Sequence, residues 1–233
     1  FEGPDGNMMP RWKGTRFIHI QDPQMSPKNF DLVIAMEHDK IIGDNVIKTR
    51  YALHSITPDA LAAARATFEP RFAAYARPHI AVLLGGSTNK YTLTPRAMKQ
   101  LIGSLDKLLA STQGSLLITP SRRTGEQNIQ LLEAHFRNNS RVYIYGGKDA
   151  NPYMGMLALA EYIVVTNDSV NMMSEAHATG KPLYILPFAG HKKTKPARFA
   201  VWLQKRASSN AISTPFSANK KRLGALGTMI MRR

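Results

Sequence analysis

Short apolar runs alternate with amphipathic stretches along most of the chain, and the rhythm becomes regular from His79 onward. The apolar stretch His79–Leu84 reads as a buried strand and ends in Gly85-Gly86-Ser87. Thr94-Pro95 opens a helix, because Thr caps well and Pro at the first helical position gives up no needed N–H. On that helix Met98, Leu101, Ile102, Leu105, Leu108 and Leu109 recur along one face. Residues 116–119 predict a strand, and Thr124 and Gln127 have capping-box spacing ahead of Ile129, Leu132 and Phe136. A strand over 142–145, a helix opened by Asn151-Pro152 and a strand over Tyr162–Thr166 follow. A helix over 170–179 stopped by Gly180, and a strand over Leu183–Leu186, complete the series.

Upstream the pattern is less regular. Ile18 and Ile20 alternate about His19 within residues 16–21, and 31–36 and 45–49 are two further short apolar runs. Asp22-Pro23 and Gly43-Asp44-Asn45 supply turn chemistry between them. Thr57-Pro58 starts a helix with Leu61, Ala64, Arg65 and Phe68 at helical spacing, which Pro70 is expected to end or kink. Residues 72–78 read as a connector, so the expected division is an amino-terminal domain over 1–76, a second domain over 77–216 and a basic helix or tail over 217–233. Strand–helix alternation at this spacing predicts an α/β fold of two Rossmann-like domains with parallel sheets, the amino-terminal one incomplete.

Charge adds a partner class. Lys and Arg number 31 against 16 Asp and Glu, a net charge of +15. No carboxylate follows Glu175, whereas Lys192, Lys193, Lys195, Arg198, Lys205, Arg206, Lys220, Lys221, Arg222, Arg232 and Arg233 all do. That asymmetry points to an anionic partner, with a solvated basic tail as the equally weighted alternative. The absence of a nucleic-acid-binding motif favours phosphates or lipid headgroups over nucleic acid. The chain has no cysteine, which excludes a disulfide scaffold and cysteine-ligated metal and fits a reducing, cytoplasmic compartment. No apolar run approaches the ~20 residues that span a bilayer, so any membrane association is expected to be peripheral, on the inner face. The first residue is Phe1, so the lack of a leader segment carries no weight.

In open parallel sheets ligands bind beyond the carboxyl ends of the strands, so three strand-to-helix loops are the places to look. In the first, Gly85, Gly86 and Ser87 could bring backbone N–H groups to a phosphate, or merely turn the chain. In the second, Arg122 within Thr119-Pro-Ser-Arg-Arg-Thr124 could neutralise a diphosphate, or be a solvated arginine at a helix start. In the third, Asp168 and Ser169 stand where a helix begins, which makes an anion site or a simple N-cap. Glu175 follows about one and a half turns later, able to reach a ribose or else exposed on the helix. Met172 and Met173 read as core.

The third loop carries a resemblance. Thr166-Asn-Asp-Ser-Val-Asn-Met-Met-Ser-Glu175, then Ala176-His-Ala-Thr-Gly-Lys-Pro182 and a strand ending in Pro187-Phe188, resembles the donor-binding signature of GT-B glycosyltransferases. More narrowly it is similar to the Elm (elongated mitochondria) family of plant mitochondrial fission factors and their bacterial relatives, classed as glycosyltransferases. Leu84-Gly-Gly-Ser87, Thr119 to Thr124, Asn151-Pro-Tyr-Met-Gly155 and Ile20-Gln-Asp-Pro23 fit that family in the same order. So do Glu37-His-Asp39, Gly43-x-Asn45-Val46 and Ala52-Leu-His54 before Thr57-Pro58, over a match running from about Arg16 to Phe216. The resemblance implies a GT-B-like fold and a nucleoside diphosphate sugar as donor substrate, with no further cofactor. It places Glu175 on the donor ribose, Ser169, Gly86 and Ser87 on the diphosphate, and Arg122 as its counter-charge. The Gly-rich first strand-turn of the family's amino-terminal half is absent here.

Glycosyl transfer needs a stabilised leaving diphosphate and a deprotonated acceptor hydroxyl. The sequence has no Asp-x-Asp pair, so a metal-independent reaction is expected, with helix start, backbone amides and Arg122 carrying the charge. The base is expected from the amino-terminal half: His38 with Asp39, or Asp22. His19, His54, His79, His135, His177 and His191 have no metal-ligand spacing and read as structural. A dehydrogenase or epimerase is rejected, since neither Gly-x-Gly-x-x-Gly nor Tyr-x-x-x-Lys occurs. A membrane-associated or lipid-linked acceptor suits the basic tail. The competing expectation is a membrane-surface adaptor related to fission factors that keeps the fold without turnover.

Overall fold

The computed structural model describes residues 14–89, 91–187, 196 and 198–203. The tail over 217–233, with Lys192, Lys193, Lys195, Lys205 and Arg206, lies outside the described residues. Among the described residues no helix is long and apolar enough to cross a membrane. The chain divides into two compact units, Phe1–Leu53 and His54–Arg233.

The first unit is a parallel sheet of three strands in the order β1 (Ile18–Ile20), β2 (Leu32–Met36) and β3 (Val46–Thr49). Ile18 lies opposite Leu32, and Ile34 opposite Ile47. One face buries Val33 and Ala35 against Phe30, with Phe17, Ile41 and Val46 packed around them. On the alternate face Ile18, Ile20 and Ile47 are all more than half exposed. Polar side chains tie the turns: Asp31 accepts from Phe17 N at 2.7 Å, and Asn45 Nδ2 donates to the carbonyls of Pro27 and Phe30 at 2.8 Å each.

The second unit begins with helix α1 (Pro58–Phe72), capped by Thr57 as the sequence predicts. Pro70 stands inside α1 and the helix runs two residues beyond it, because a proline in the last turn removes only one late hydrogen bond. Then follow β4 (His79–Leu84), α2 (Pro95–Ala110), β5 (Ser115–Pro120), α3 (Glu126–Phe136), β6 (Val142–Ile144), α4 (Tyr153–Leu159), β7 (Tyr162–Thr166), α5 (Val170–Ala178) and β8 (Leu183–Leu186). All sheet pairings are parallel, in the order β6-β5-β4-β7-β8. Every residue of β4 is buried, as a strand covered on both faces requires. On one face Ile80, Val82, Leu116, Ile118 and Val164 pack with the six apolar residues of α2 and with Leu132 and Phe136 of α3.

Helix α1 belongs to this second unit, so the division falls at Leu53/His54 and not at residue 76. The cause is its packing on α4. A Cβ at Gly155 would overlap the Phe68 side chain, and Arg65 donates to the Ala158 carbonyl at 2.7 Å. Lys181 donates to the carbonyls of Leu157 and Ala158 at 2.6 and 2.8 Å. Two cations thus cap the carboxyl end of α4. Burial, with the Arg65 guanidinium beside it, pushes the Lys181 amine down to about 8.

Candidate functional site

The strand order reverses between β4 and β7, whose carboxyl ends therefore flank the switch point of the larger sheet, where such folds bind ligands. Three of the sequence-predicted loops meet there, and they are knitted together by one buried carboxylate. Asp168 Oδ2 accepts from Gly86 N at 3.0 Å and from Arg123 Nη2 at 2.9 Å. Its Oδ1 accepts from Thr166 Oγ1 at 2.7 Å, and that hydroxyl in turn accepts from Gly85 N at 2.8 Å. The Asp168 side chain is wholly buried, so its charge is balanced by these donors and not by water. Asp168 thus clamps the loops together, and its cation is Arg123.

The Gly85-Gly86-Ser87 turn is engaged within the protein, in line with the second of its two readings. Both glycines are buried, and a Cβ at Gly85 would overlap the Asp168 carboxylate while one at Gly86 would overlap the Arg123 carbonyl. Ser87 N donates to Arg123 O at 2.9 Å, and Ser87 Oγ accepts from Leu93 N at 3.0 Å. All three backbone amides of Gly85, Gly86 and Ser87 are therefore bonded inside the protein. The glycines admit neighbouring loops.

The loop after β5 departs from the predicted pattern. Thr124 lies in a short 3-10 turn, Arg122–Thr124, and its hydroxyl donates to Gly85 O at 2.6 Å. The predicted capping box is not formed, since Gly125, at φ 82°, occupies the N-cap of α3 instead. Arg123 is held by Asp168 and by the Ser87 carbonyl at 3.3 Å. Arg122 is exposed and makes no ion pair among the described residues.

The start of α5 is arranged differently. Ser169 is the N-cap, its hydroxyl accepting from Met172 N at 3.3 Å. The next two amides, Val170 and Asn171, have no hydrogen-bond partner among the described residues, as expected for the first turn of a helix. Asn171 is exposed and Ser169 and Val170 are half-buried. One and a half turns on, half-buried Glu175 accepts from the Tyr153 hydroxyl through Oε2. Tyr153 opens α4, where Asn151 Oδ1 accepts its backbone N–H at 3.0 Å. Burial and then the adjacent carboxylate push the Tyr153 phenol well above its ordinary value, so it remains a donor. Met173 is buried and Met172 half-buried, in line with the core reading.

The proposed acid–base residues lie in the smaller unit. Asp22 and the His38-Asp39 turn follow the carboxyl ends of β1 and β2. Asp22 Oδ1 accepts from Gln24 N at 3.0 Å, a local turn bond. Asp39 is 5% exposed, and its Oδ2 accepts from Met36 N at 3.3 Å. Its carbonyl accepts from Lys48 Nζ at 2.6 Å, and His38 Nε2 lies 4.0 Å from its Oδ1. Asp39 thus braces its own turn.

Sequence reasoning missed Arg123, Thr166 and Tyr153. Tyr153 carried a signal, since it follows a strand, Asn151 and Pro152 at a predicted helix start. Arg123 carried none that separates it from its neighbour Arg122.

These features define a parallel α/β protein of the Rossmann-like class, with its polar groups gathered at the switch point of the larger sheet. The chain belongs to the mitochondrial fission ELM1 family, whose model matches residues 8–223. It is 34% identical over 212 residues to the mitochondrial fission protein ELM1 of Arabidopsis thaliana, covering 81% of this chain and 49% of that protein. It is 27% identical over 217 residues to an uncharacterised protein of Rickettsia prowazekii, RP120, covering 75% of this chain and 58% of that one. The chain thus spans about half the length of the curated relatives it matches. Among solved structures it is similar to POFUT1 in complex with GDP at 12% identity and a TM-score of 0.36, over 57% of this chain and 48% of that one. A likeness of that size decides nothing about chemistry.

Proposed function

We propose that the larger unit binds the nucleoside diphosphate of a sugar donor, within a GT-B-like glycosyltransferase that transfers the sugar to a membrane-associated or lipid-linked acceptor. The observation that carries this reading is the open start of α5. Val170 and Asn171 present unpartnered amides there, with Glu175 held by Tyr153 further along the same helix. A diphosphate suits the amides and the positive end of the helix dipole. Arg122 supplies counter-charge from the neighbouring loop, since it has no carboxylate partner among the described residues. Glu175 then accepts from the ribose. The Asp168 clamp keeps the loops in register and leaves phosphate binding to the donors around it. Leaving-group charge would be carried by these protein groups, without a metal.

The second reading is an adaptor without turnover. The name of the Arabidopsis relative favours it, and so does the buried, internally bonded carboxylate of Asp39. His38 and Asp22 remain the candidates for the base under the enzyme reading. The test is thermal unfolding with the common nucleoside diphosphates, followed by release of the diphosphate from nucleotide sugars. Binding should raise the Tm by an amount set by RT ln(1 + [L]/Kd), and Glu175→Ala should remove the rise. A rise without turnover supports the adaptor, and no rise with any nucleoside diphosphate overturns the donor site itself.

A further inference from the structure

Glu175 is the one group of the proposed donor site whose two acceptor atoms have different surroundings. Its Oε2 accepts from the Tyr153 hydroxyl, while Oε1 accepts no hydrogen bond among the described residues. The tyrosine is fixed at its base: Pro152 precedes it and Asn151 Oδ1 holds its backbone N–H. Because burial and the carboxylate both raise its pKa, the hydroxyl stays protonated and the bond persists across the physiological range. A carboxylate engaged in this way is held in one orientation, and its unengaged oxygen is the stronger remaining acceptor, whereas an unrestrained carboxylate can turn so that each oxygen takes one of two neighbouring hydroxyls.

We propose that Tyr153 is a positioning residue that holds one oxygen of Glu175 and leaves the other to a single ribose hydroxyl, so that the site reads one of the two ribose hydroxyls and is indifferent to the other. This rests on the donor-site reading above and adds a specificity to it. The ligand class it selects is a nucleotide with that one hydroxyl intact, whatever stands at the neighbouring carbon.

The experiment is titration calorimetry with uridine and guanosine diphosphate and their 2′-deoxy and 3′-deoxy forms, on the parent protein and on Tyr153→Phe. In the parent, deleting one hydroxyl should weaken binding about tenfold and deleting the other less than about twofold, since one hydrogen bond to a charged group is lost in the first case alone. In Tyr153→Phe the carboxylate turns freely, and the two deletions should differ by less than about threefold. A role confined to tying α4 to α5 would lower the Tm of Tyr153→Phe and leave that ratio unchanged, which would overturn the proposal. Equal losses for both deletions in the parent would also overturn it, while leaving the donor site standing if Glu175→Ala still abolishes binding. Failure of the parent to bind any of these diphosphates would overturn both. Should Tyr153→Phe not fold, Glu175→Gln keeps the shape but can turn its amide N–H₂ toward the ligand, and the two deletions should then differ by less than about threefold; an undiminished difference would overturn the proposal.

Discussion

Two turns at the same edge of the five-stranded sheet look alike in composition and differ in what they leave available. Gly85-Gly86-Ser87 follows β4, and Asn167-Asp168-Ser169 follows β7; both are short runs of small or polar residues between a strand and a helix. The first is closed, with three amides bonded to Thr166, Asp168 and Arg123. The second is open, because Ser169 satisfies Met172 N and leaves the two amides before it. A glycine pair allows close approach, and here what approaches is the protein itself. What separates the two turns is therefore which backbone donors remain, not the presence of glycine.

The largest expected effect comes from breaking the closed turn. Asp168→Ala strips the Gly86 amide of its acceptor and leaves Arg123 without its carboxylate. Unfolding in urea should show a loss of about 3 kcal/mol, tempered by the partial exposure of Arg123. Gly86→Ala tests the same turn sterically, because its Cβ would meet the backbone carbonyl of Arg123, and should cost about 2 kcal/mol. If either change were neutral to stability and harmful only to ligand binding, the turn would be open after all. Ser169→Ala removes one cap from α5 and should cost about 1 kcal/mol in the same assay.

The last effect concerns the opposite edge of the sheet, where Lys181 caps the carboxyl end of α4. Lys181 has its pKa lowered from 10.5 to about 8, so between those values the folded chain holds fewer protons than the unfolded one. Its contribution to stability therefore rises as pH climbs from 8 toward 10.5. Tm measured from pH 7.5 to 10 should move upward in the parent relative to Lys181→Met.

The regular elements of the larger unit were legible because each carries its cause locally. β4 is apolar throughout, as burial on both faces demands, and α2 repeats its six buried residues on one face behind a Thr-Pro start. Ser169 capping and the Gly180 stop, at φ 69°, were legible for the same reason. What could not be read depends on partners distant in sequence. The Thr124 hydroxyl bonds to Gly85 rather than capping its own helix, a preference set 39 residues away. Helix α1 belongs with the second unit because Phe68 meets Gly155, a contact with no signature near residue 76. The Glu175–Tyr153 bond joins two helices, so the glutamate's type and spacing could be singled out while its orientation could not.

The contrast between the two turns can be tested directly by following backbone amide resonances while a nucleoside diphosphate is added to the labelled protein. If the contrast holds, Val170 and Asn171 shift most, with Gly85, Gly86 and Ser87 nearly unmoved. Large shifts at Gly86 and Ser87 with none at Val170 and Asn171 would contradict it.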